Sequence, residues 1–229
     1  LVDLQPKVFF LNRSHLNALS TDGKLDPKKL VKVFNRFAVA QNDASLLQSG
    51  ITVILDMSSA NVDVALKALA SSPYSVSIFG FRTLVDDNAD FNAKLQSLKR
   101  ASAKYPNLDI LSFPPAKKPF VADADTVKNL VDTAQHFDEL EGVMFDSIET
   151  DTTGFQTLIN AYKANANWSF FSVQFTTHEQ IRLFQQFVFR NPSQLSHIFI
   201  VLRENQLSRG DYSTLSSALL RTMGVEGFG

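Results

Sequence analysis

Residues 169–190 read SFFSVQFTTHEQIRLFQQFVFR and contain one complete strand and helix unit. The first seven residues are rich in phenylalanine and valine, which favour a β-strand. A stripe at helical spacing follows, formed by Ile181, Phe184, Phe187 and Val188. Thr177 supplies a side-chain acceptor where this helix should begin, and Pro192 lies just beyond its predicted end. The stretch therefore predicts a buried strand followed by an amphipathic helix.

The same unit recurs along the whole chain. The other β-rich runs lie at residues 7–12, 51–56, 75–81, 108–113, 142–146, 197–202 and 224–229. Most are continuous apolar runs, as expected of parallel strands that are covered on both faces. Helical stripes separate them, with start signals at Asp26-Pro27, Asp125-Thr126, Thr152-Thr153 and Thr177. Consecutive strands are far enough apart for a crossover helix and two loops.

Eight such strands predict an α/β fold of the (β/α)₈ TIM-barrel type. Its last unit, residues 224–229, is short and glycine-rich and has no following helix, as in a truncated barrel. The alternative is an open, doubly wound parallel sheet. We favour the barrel because an open sheet would leave two edges to protect.

Length and composition set the class of protein. The 229 residues carry a formal net charge of −1, which predicts neither a nucleic-acid partner nor a polybasic membrane contact. No apolar run approaches the roughly 20 residues that a membrane span requires, so membrane insertion is not expected. We expect residues 1–229 to form a single domain. Because the chain starts without methionine and stops in an apolar run, we expect that domain to be excised from a longer protein.

In a barrel of this type, ligands bind at the carboxyl ends of the strands. Three carboxylates near those ends are the catalytic candidates if the protein is an enzyme: Asp146, Glu149 and Glu204. Paired carboxylates can hydrolyse glycosidic bonds by acid and nucleophile or base roles. The candidate ligand-binding residues are Asn12, Asp56, Arg82, Phe113, Gln174, Phe175 and Arg203.

The sequence lacks the residues that two other classes of barrel enzyme require, the metal hydrolases and the Schiff-base aldolases. The four histidines are isolated in the sequence, whereas a metal hydrolase needs several together, and the absence of cysteine removes thiolate ligands. No predicted strand ends in a lysine suited to Schiff-base formation. We therefore predict no metal site and no cofactor.

Residues 137–149, FDELEGVMFDSIE, resemble the signature strand of family-18 glycoside hydrolases, the chitinases and chitinase-like lectins, which reads D-G-x-D-x-D-x-E. In this alignment Asp146 matches the third aspartate, Met144 replaces the second, Ile148 falls on the glutamate, and Glu149 comes one residue later. The family carries the motif on its fourth strand, whereas here it falls on the fifth predicted strand. The resemblance implies a sugar-binding barrel that has lost its catalytic acid.

Three functions follow from these observations. The first is a non-catalytic chitinase-like barrel, a pseudoenzyme that binds carbohydrate or protein or serves as a structural module. The second is an active glycoside hydrolase that uses Asp146 or Glu149 as proton donor and Glu204 or Asp56 as its partner. The third is a metabolic barrel enzyme in which Arg13, Arg82 and Arg203 clamp an anionic substrate. The first is favoured, and the family resemblance favours an extracellular location.

Two glycosylation sequons are present, Asn12-Arg13-Ser14 and Asn167-Trp168-Ser169, and Pro192 blocks a third at Asn191. Two sequons are about what chance supplies in a chain of this length. By sequence alone we therefore interpret them as incidental.

Overall fold

The computed structural model describes residues 7–39, 51–56, 58–70, 80–102, 108–117, 119–145, 148–202 and 207–222. The strands are β1 (Lys7–Leu11), β2 (Ser20–Thr21), β3 (Lys24–Leu25), β4 (Ile51–Leu55), β5 (Gly80–Thr83), β6 (Ile110–Ser112), β7 (Val121–Ala122), β8 (Gly142–Met144), β9 (Glu149–Thr150), β10 (Phe170–Phe175) and β11 (His197–Leu202). The helices are α1 (Arg13–Ala18), α2 (Pro27–Val39), α3 (Ser59–Ala70), α4 (Asn88–Ser102), α5 (Ala124–Ala134), α6 (Thr152–Ala164), α7 (His178–Arg190) and α8 (Arg209–Thr222).

Seven strands form one parallel sheet in the order β1-β4-β5-β6-β8-β10-β11. These are the first seven predicted strands, so the prediction of a parallel α/β fold is confirmed. Their order follows the chain, without the reversal that a doubly wound sheet contains. The predicted eighth strand, residues 224–229, lies outside the described residues.

The helices α2 to α8 pack side by side in chain order, each against the next. They form one layer over what we call the outer face of the sheet, as crossovers of a single hand produce when strands follow in order. The hydrophobic core lies between this layer and the sheet. On β10, for example, Phe171 stacks on Phe184 of α7 with ring centroids 5.1 Å apart.

Side-chain oxygens cap the helix starts. The predicted starts of α2 and α7 are confirmed, since Asp26 accepts from the amide of Lys28 at 2.9 Å and Thr177 forms a capping box with Gln180. The predicted starts of α5 and α6 are shifted by a residue or two, because Asp123 and Asp151 are the capping residues. In both cases an aspartate just upstream reaches the third amide of the helix.

Several short elements were not predicted. Helix α1 and the hairpin β2–β3 lie between the first two strands of the sheet, and the hairpin turns at Asp22 (φ 52°) and Gly23 (φ 75°). A two-residue turn with positive φ at both positions suits the twist of a hairpin, and Asp-Gly is its usual sequence. The strands β7 and β9 pair in parallel beside the main sheet. All are too short for hydrophobic periodicity to indicate them.

The face opposite the helices, the inner face, carries one continuous row of aligned residues. Strand register places in it Phe10, Ile54, Arg82, Ser112, Met144, Ser172 and Phe199. Ser112 and Ser172 in this row are buried, whereas Phe10 and Phe199 on the two edge strands are 50% and 53% exposed. The inner row is therefore covered between its ends, where it carries three polar residues, and apolar and open at its two ends.

Among the described residues, no helix combines the length and the apolar character needed to cross a membrane.

Candidate functional site

The carboxyl ends of the seven parallel strands meet at one edge of the sheet, which we call the mouth. Three of the ten candidate residues, Asp146, Arg203 and Glu204, lie outside the described residues. The other seven fall into four groups: a cap, a charged cluster, a polar inner-face set and two core phenylalanines.

Asn12 is a capping residue. It lies directly after β1, and its Oδ1 accepts from the amide of His15 at 3.0 Å, which begins α1. The side chain is half-buried and its carbonyl oxygen is occupied by this hydrogen bond. Its role in the described structure is to stabilise a helix start at the mouth.

Asp56 belongs to a charged cluster at the ends of β1, β4 and β5. Arg13 lies between two carboxylates, with Nε 3.8 Å from Asp56 and Nη2 3.6 Å from Asp86. The Nζ of Lys117 lies 3.4 Å from the other oxygen of Asp86. Since both carboxylates face Arg13, its charge is balanced within the protein. This arrangement argues against Arg13 as an anion clamp.

Arg82 lies on the inner face. It is half-buried in the inner row, and its Nε donates to Ser112 Oγ on β6 at 3.0 Å. Alternation along a strand places Arg82 on the face opposite Phe81, which is buried in the core beneath the helices. This hydrogen bond joins the guanidinium to the neighbouring strand on the inner face.

Glu149 reaches the same face from a different element. Its strand, β9, lies at the mouth beside β10, and Gln174 Nε2 on the inner face of β10 donates to Glu149 Oε1 at 3.2 Å. Gln174 is buried and Glu149 is half-buried. The amide therefore orients the carboxylate at the mouth. Sequence reasoning selected both residues but did not predict their contact, because β9 was not expected.

Phe113 and Phe175 lie in the hydrophobic core instead of lining an open surface. Phe113 packs against Phe91 of α4 at 4.7 Å, and Phe175 packs against Phe155 of α6 at 5.6 Å. Both rings are fully buried beneath the helix layer. The prediction that they line a pocket is therefore corrected: their positions place them on the outer face, where the helices cover them.

The mouth also carries a hydrogen-bonded pair of a histidine and an aspartate, which was not predicted. Nδ1 of His178, the first residue of α7, donates to Oδ1 of Asp211 in α8, because an ionised carboxylate can only accept. The other oxygen of Asp211 accepts from the amide and hydroxyl of Ser208 at 2.7 and 2.8 Å. These hydrogen bonds, foremost that from His178, hold the pKa of Asp211 below its ordinary value. The sequence signal for the position of Asp211 was the capping pattern Ser208-x-x-Asp211 at the start of α8.

The opposite, amino end of the sheet carries a carboxylate in an unfavourable environment. Burial, and then the nearby charges of Glu141 and Glu139, raise the pKa of Asp109 to about 6. A carboxyl whose pKa is higher in the folded chain than in the unfolded one binds more protons when folded. Its contribution to stability is therefore lost as the pH rises from about 4 to about 6.

We expect Asp109→Asn to raise the melting temperature at pH 7.5 and to change it little at pH 4. The amide keeps the shape of the side chain but removes a charge that is destabilising only above its folded pKa. Thermal unfolding of both proteins at the two pH values measures the difference. An equal effect at both values would contradict this account.

Within the part of the chain that the structure describes, no three histidine, aspartate or glutamate side chains come close enough together to hold a metal ion. The whole sequence matches no protein-family model and no curated protein.

Proposed function

We propose that the chain folds as a (β/α)₈ barrel, with residues 224–229 as its eighth strand. The inner face of the central strands supports this. Ile110 and Phe170 lie on that face, away from the helices, yet they are only 3% and 6% exposed. A sheet that curls on itself, as a barrel does, would cover these side chains while the helices form a layer on the other side.

The two edge strands support the same proposal. Phe10 on β1 and Phe199 on β11 are half-exposed on the inner face, and Val201 is 37% exposed. Large apolar side chains are unfavourable in water at two edges that no described strand pairs, and one more strand between the edges would cover both. A strand that followed α8 by the same crossover as the preceding units would take that place.

We infer that this barrel is a non-catalytic, chitinase-like binding module whose ligand is a carbohydrate bound at the mouth. The observation that carries the inference is the polar set on the inner face: Arg82 and Glu149, half-buried, held by the buried Ser112 and Gln174. Hydrogen bonds with Ser112 and Gln174 orient this guanidinium and this carboxylate. A guanidinium donates and a carboxylate accepts, which suits sugar hydroxyls because a hydroxyl can do both. The resemblance of residues 137–149 to family 18 points to the same ligand class, and it favours an extracellular protein.

Arg82→Ala should weaken binding of chito-oligosaccharides tenfold or more, because a hydrogen bond to a charged group contributes about 1.5–3 kcal/mol. Arg182→Ala is the matched control, since Arg182 is exposed on α7 and pairs with Glu179 in its own helix. Isothermal titration with chito-oligosaccharides and a glycan array measure the effect, with thermal unfolding to check that the variant folds. The proposal is abandoned if the unaltered protein binds no glycan, or if both variants bind as it does.

An active glycoside hydrolase is the second candidate, and the position of Glu149 favours it. A half-buried carboxyl group at the mouth, hydrogen-bonded to Gln174, is a candidate for the general acid of such an enzyme. The same titration samples distinguish the two functions when they are assayed for hydrolysis. In a hydrolase, Glu149→Gln would reduce turnover at least a hundredfold while oligosaccharide binding persists. In a binding module no turnover is present to lose.

A further inference from the structure

Asn167 lies in the turn that joins α6 to β10, at the amino end of the sheet. It is exposed, and its side-chain amide makes no hydrogen bond within the described residues. The two residues after it complete a sequon, Asn167-Trp168-Ser169. Trp168 is buried against Tyr162, with ring centroids 5.2 Å apart, which fixes the turn and leaves the asparagine pointing away from the core. The turn thus presents to solvent an asparagine side chain that has no structural role within the described residues.

The side chains of the other two asparagines that have serine two residues later, Asn12 and Asn191, form hydrogen bonds within the protein. Asn12 is half-buried, caps α1 at the mouth, and has its sequon serine within the helix. Asn191 donates from Nδ2 to the carbonyl of Phe187 at 2.9 Å, and Pro192 excludes it as an acceptor in any case. All three asparagines are followed by serine at the second position, but of the three only Asn167 is exposed.

A groove lies beside Asn167. It has a volume of about 330 Å³ and is lined by the ends of α5 and α6, including Gln135, Asp138, Asn165 and Trp168. Amide and carboxylate groups in the lining suit the hydroxyl groups of an amino sugar, which both donate and accept hydrogen bonds. A sugar attached to Asn167 would have room there without displacing any part of the fold.

We propose that Asn167 is an N-glycosylation site and that the groove seats the first N-acetylglucosamine of the glycan. In the transfer, Nδ2 of Asn167 forms a bond to C1 of the sugar and loses a proton. The bond between C1 and the diphosphate of a polyprenyl-linked oligosaccharide donor breaks, and polyprenyl diphosphate leaves. The oligosaccharide is transferred by the secretory-pathway enzyme that reads the sequon. The glycan stands at the end of the sheet opposite the mouth, so the ligand site stays open.

The test expresses the chain behind a secretion signal in a eukaryotic host. The secreted protein should migrate as a single heavier species that peptide-N-glycosidase collapses to the size of the bare chain. Mass spectrometry of the tryptic peptide 164–182 should show the aspartate that this glycosidase leaves at position 167. Asn12→Gln should keep the heavier species, and Asn167→Gln should lose it.

Ser169 supplies the matched pair of variants. Ser169→Thr retains the sequon and should retain the glycan, whereas Ser169→Ala keeps Asn167 but should lose it. Secreted protein without a glycan at position 167 overturns the proposal, as does a heavier species that persists in Asn167→Gln. Neither outcome bears on ligand binding at the mouth, so failure here is distinguishable from failure of the proposed function.

Discussion

Gly142→Ala should destabilise the protein by about 3 kcal/mol or more, the largest effect that we expect from adding one methyl group. Gly142 pairs with Phe170 across β8 and β10, and a Cβ built on it would lie 2.0 Å from the carbonyl oxygen of Phe170 and 2.9 Å from its carbonyl carbon. Both atoms belong to the backbone, and the hydroxyl of Tyr162 also donates to this oxygen. Relief of the contact would therefore require the two strands to separate.

Thermal unfolding measures this change. For a chain of this size, about 3 kcal/mol corresponds to a fall of roughly 6–12 °C in melting temperature. Gly210→Ala is the control, because its Cβ would approach no described atom closer than 3.6 Å. That variant should unfold at the original temperature or slightly above it, since alanine favours a helix over glycine. A Gly142→Ala protein as stable as this control would contradict the pairing of β8 with β10 at Gly142 and Phe170.

Gln180→Leu should cost about 3 kcal/mol or more, because one buried amide satisfies three backbone groups. Its Nε2 donates to the carbonyl of Thr150 at 2.6 Å, and its Oε1 accepts from the amides of Thr176 at 2.8 Å and Thr177 at 3.3 Å. Gln180 itself is fully buried. Leucine would remove this partner from the buried carbonyl of Thr150 and from the amides of Thr176 and Thr177, and each group left buried and unsatisfied costs about 1–3 kcal/mol.

Urea-induced unfolding gives the free energy for this variant. Gln186→Leu makes the same substitution at an exposed position of the same helix, and it should change stability by less than about 0.5 kcal/mol. A similar small effect at both positions would show that the hydrogen bonds of Gln180 contribute little. If the mouth binds carbohydrate as proposed, Gln180→Leu should also weaken that binding, because Thr150 adjoins Glu149.

Periodicity predicted the seven strands of the main sheet and most of its helices. Long apolar stripes such as that of Ile181, Phe184 and Phe187 bury one face of a helix wherever that helix lies, so they are visible without tertiary information. Boundaries were less exact: β8 ends at Met144, although the apolar run continues to Phe145. The last residues of a strand depend on hydrogen bonds from its neighbours, which a single segment does not reveal.

The candidate site was predicted only in part. That strand-end residues gather at one mouth follows from parallel topology alone. Topology does not tell which of these residues contact each other, because Arg82 and Ser112 are 30 residues apart in the chain and His178 and Asp211 are 33 apart. Phe113 and Phe175 were placed in a pocket, because alternation along a strand separates two faces without saying which one the helices cover.

By itself, the amino-acid sequence determined that this protein alternates parallel strands with helices, because hydrophobic period is a local property of the chain. Only the tertiary structure decided that Glu149 is oriented by Gln174, that Arg13 is balanced by two carboxylates, and that Asn167 is exposed while Asn12 caps a helix. Each of these depends on strand register and on which face a side chain takes. A shift of one residue reverses that face without altering the hydrophobic pattern from which the strand was predicted.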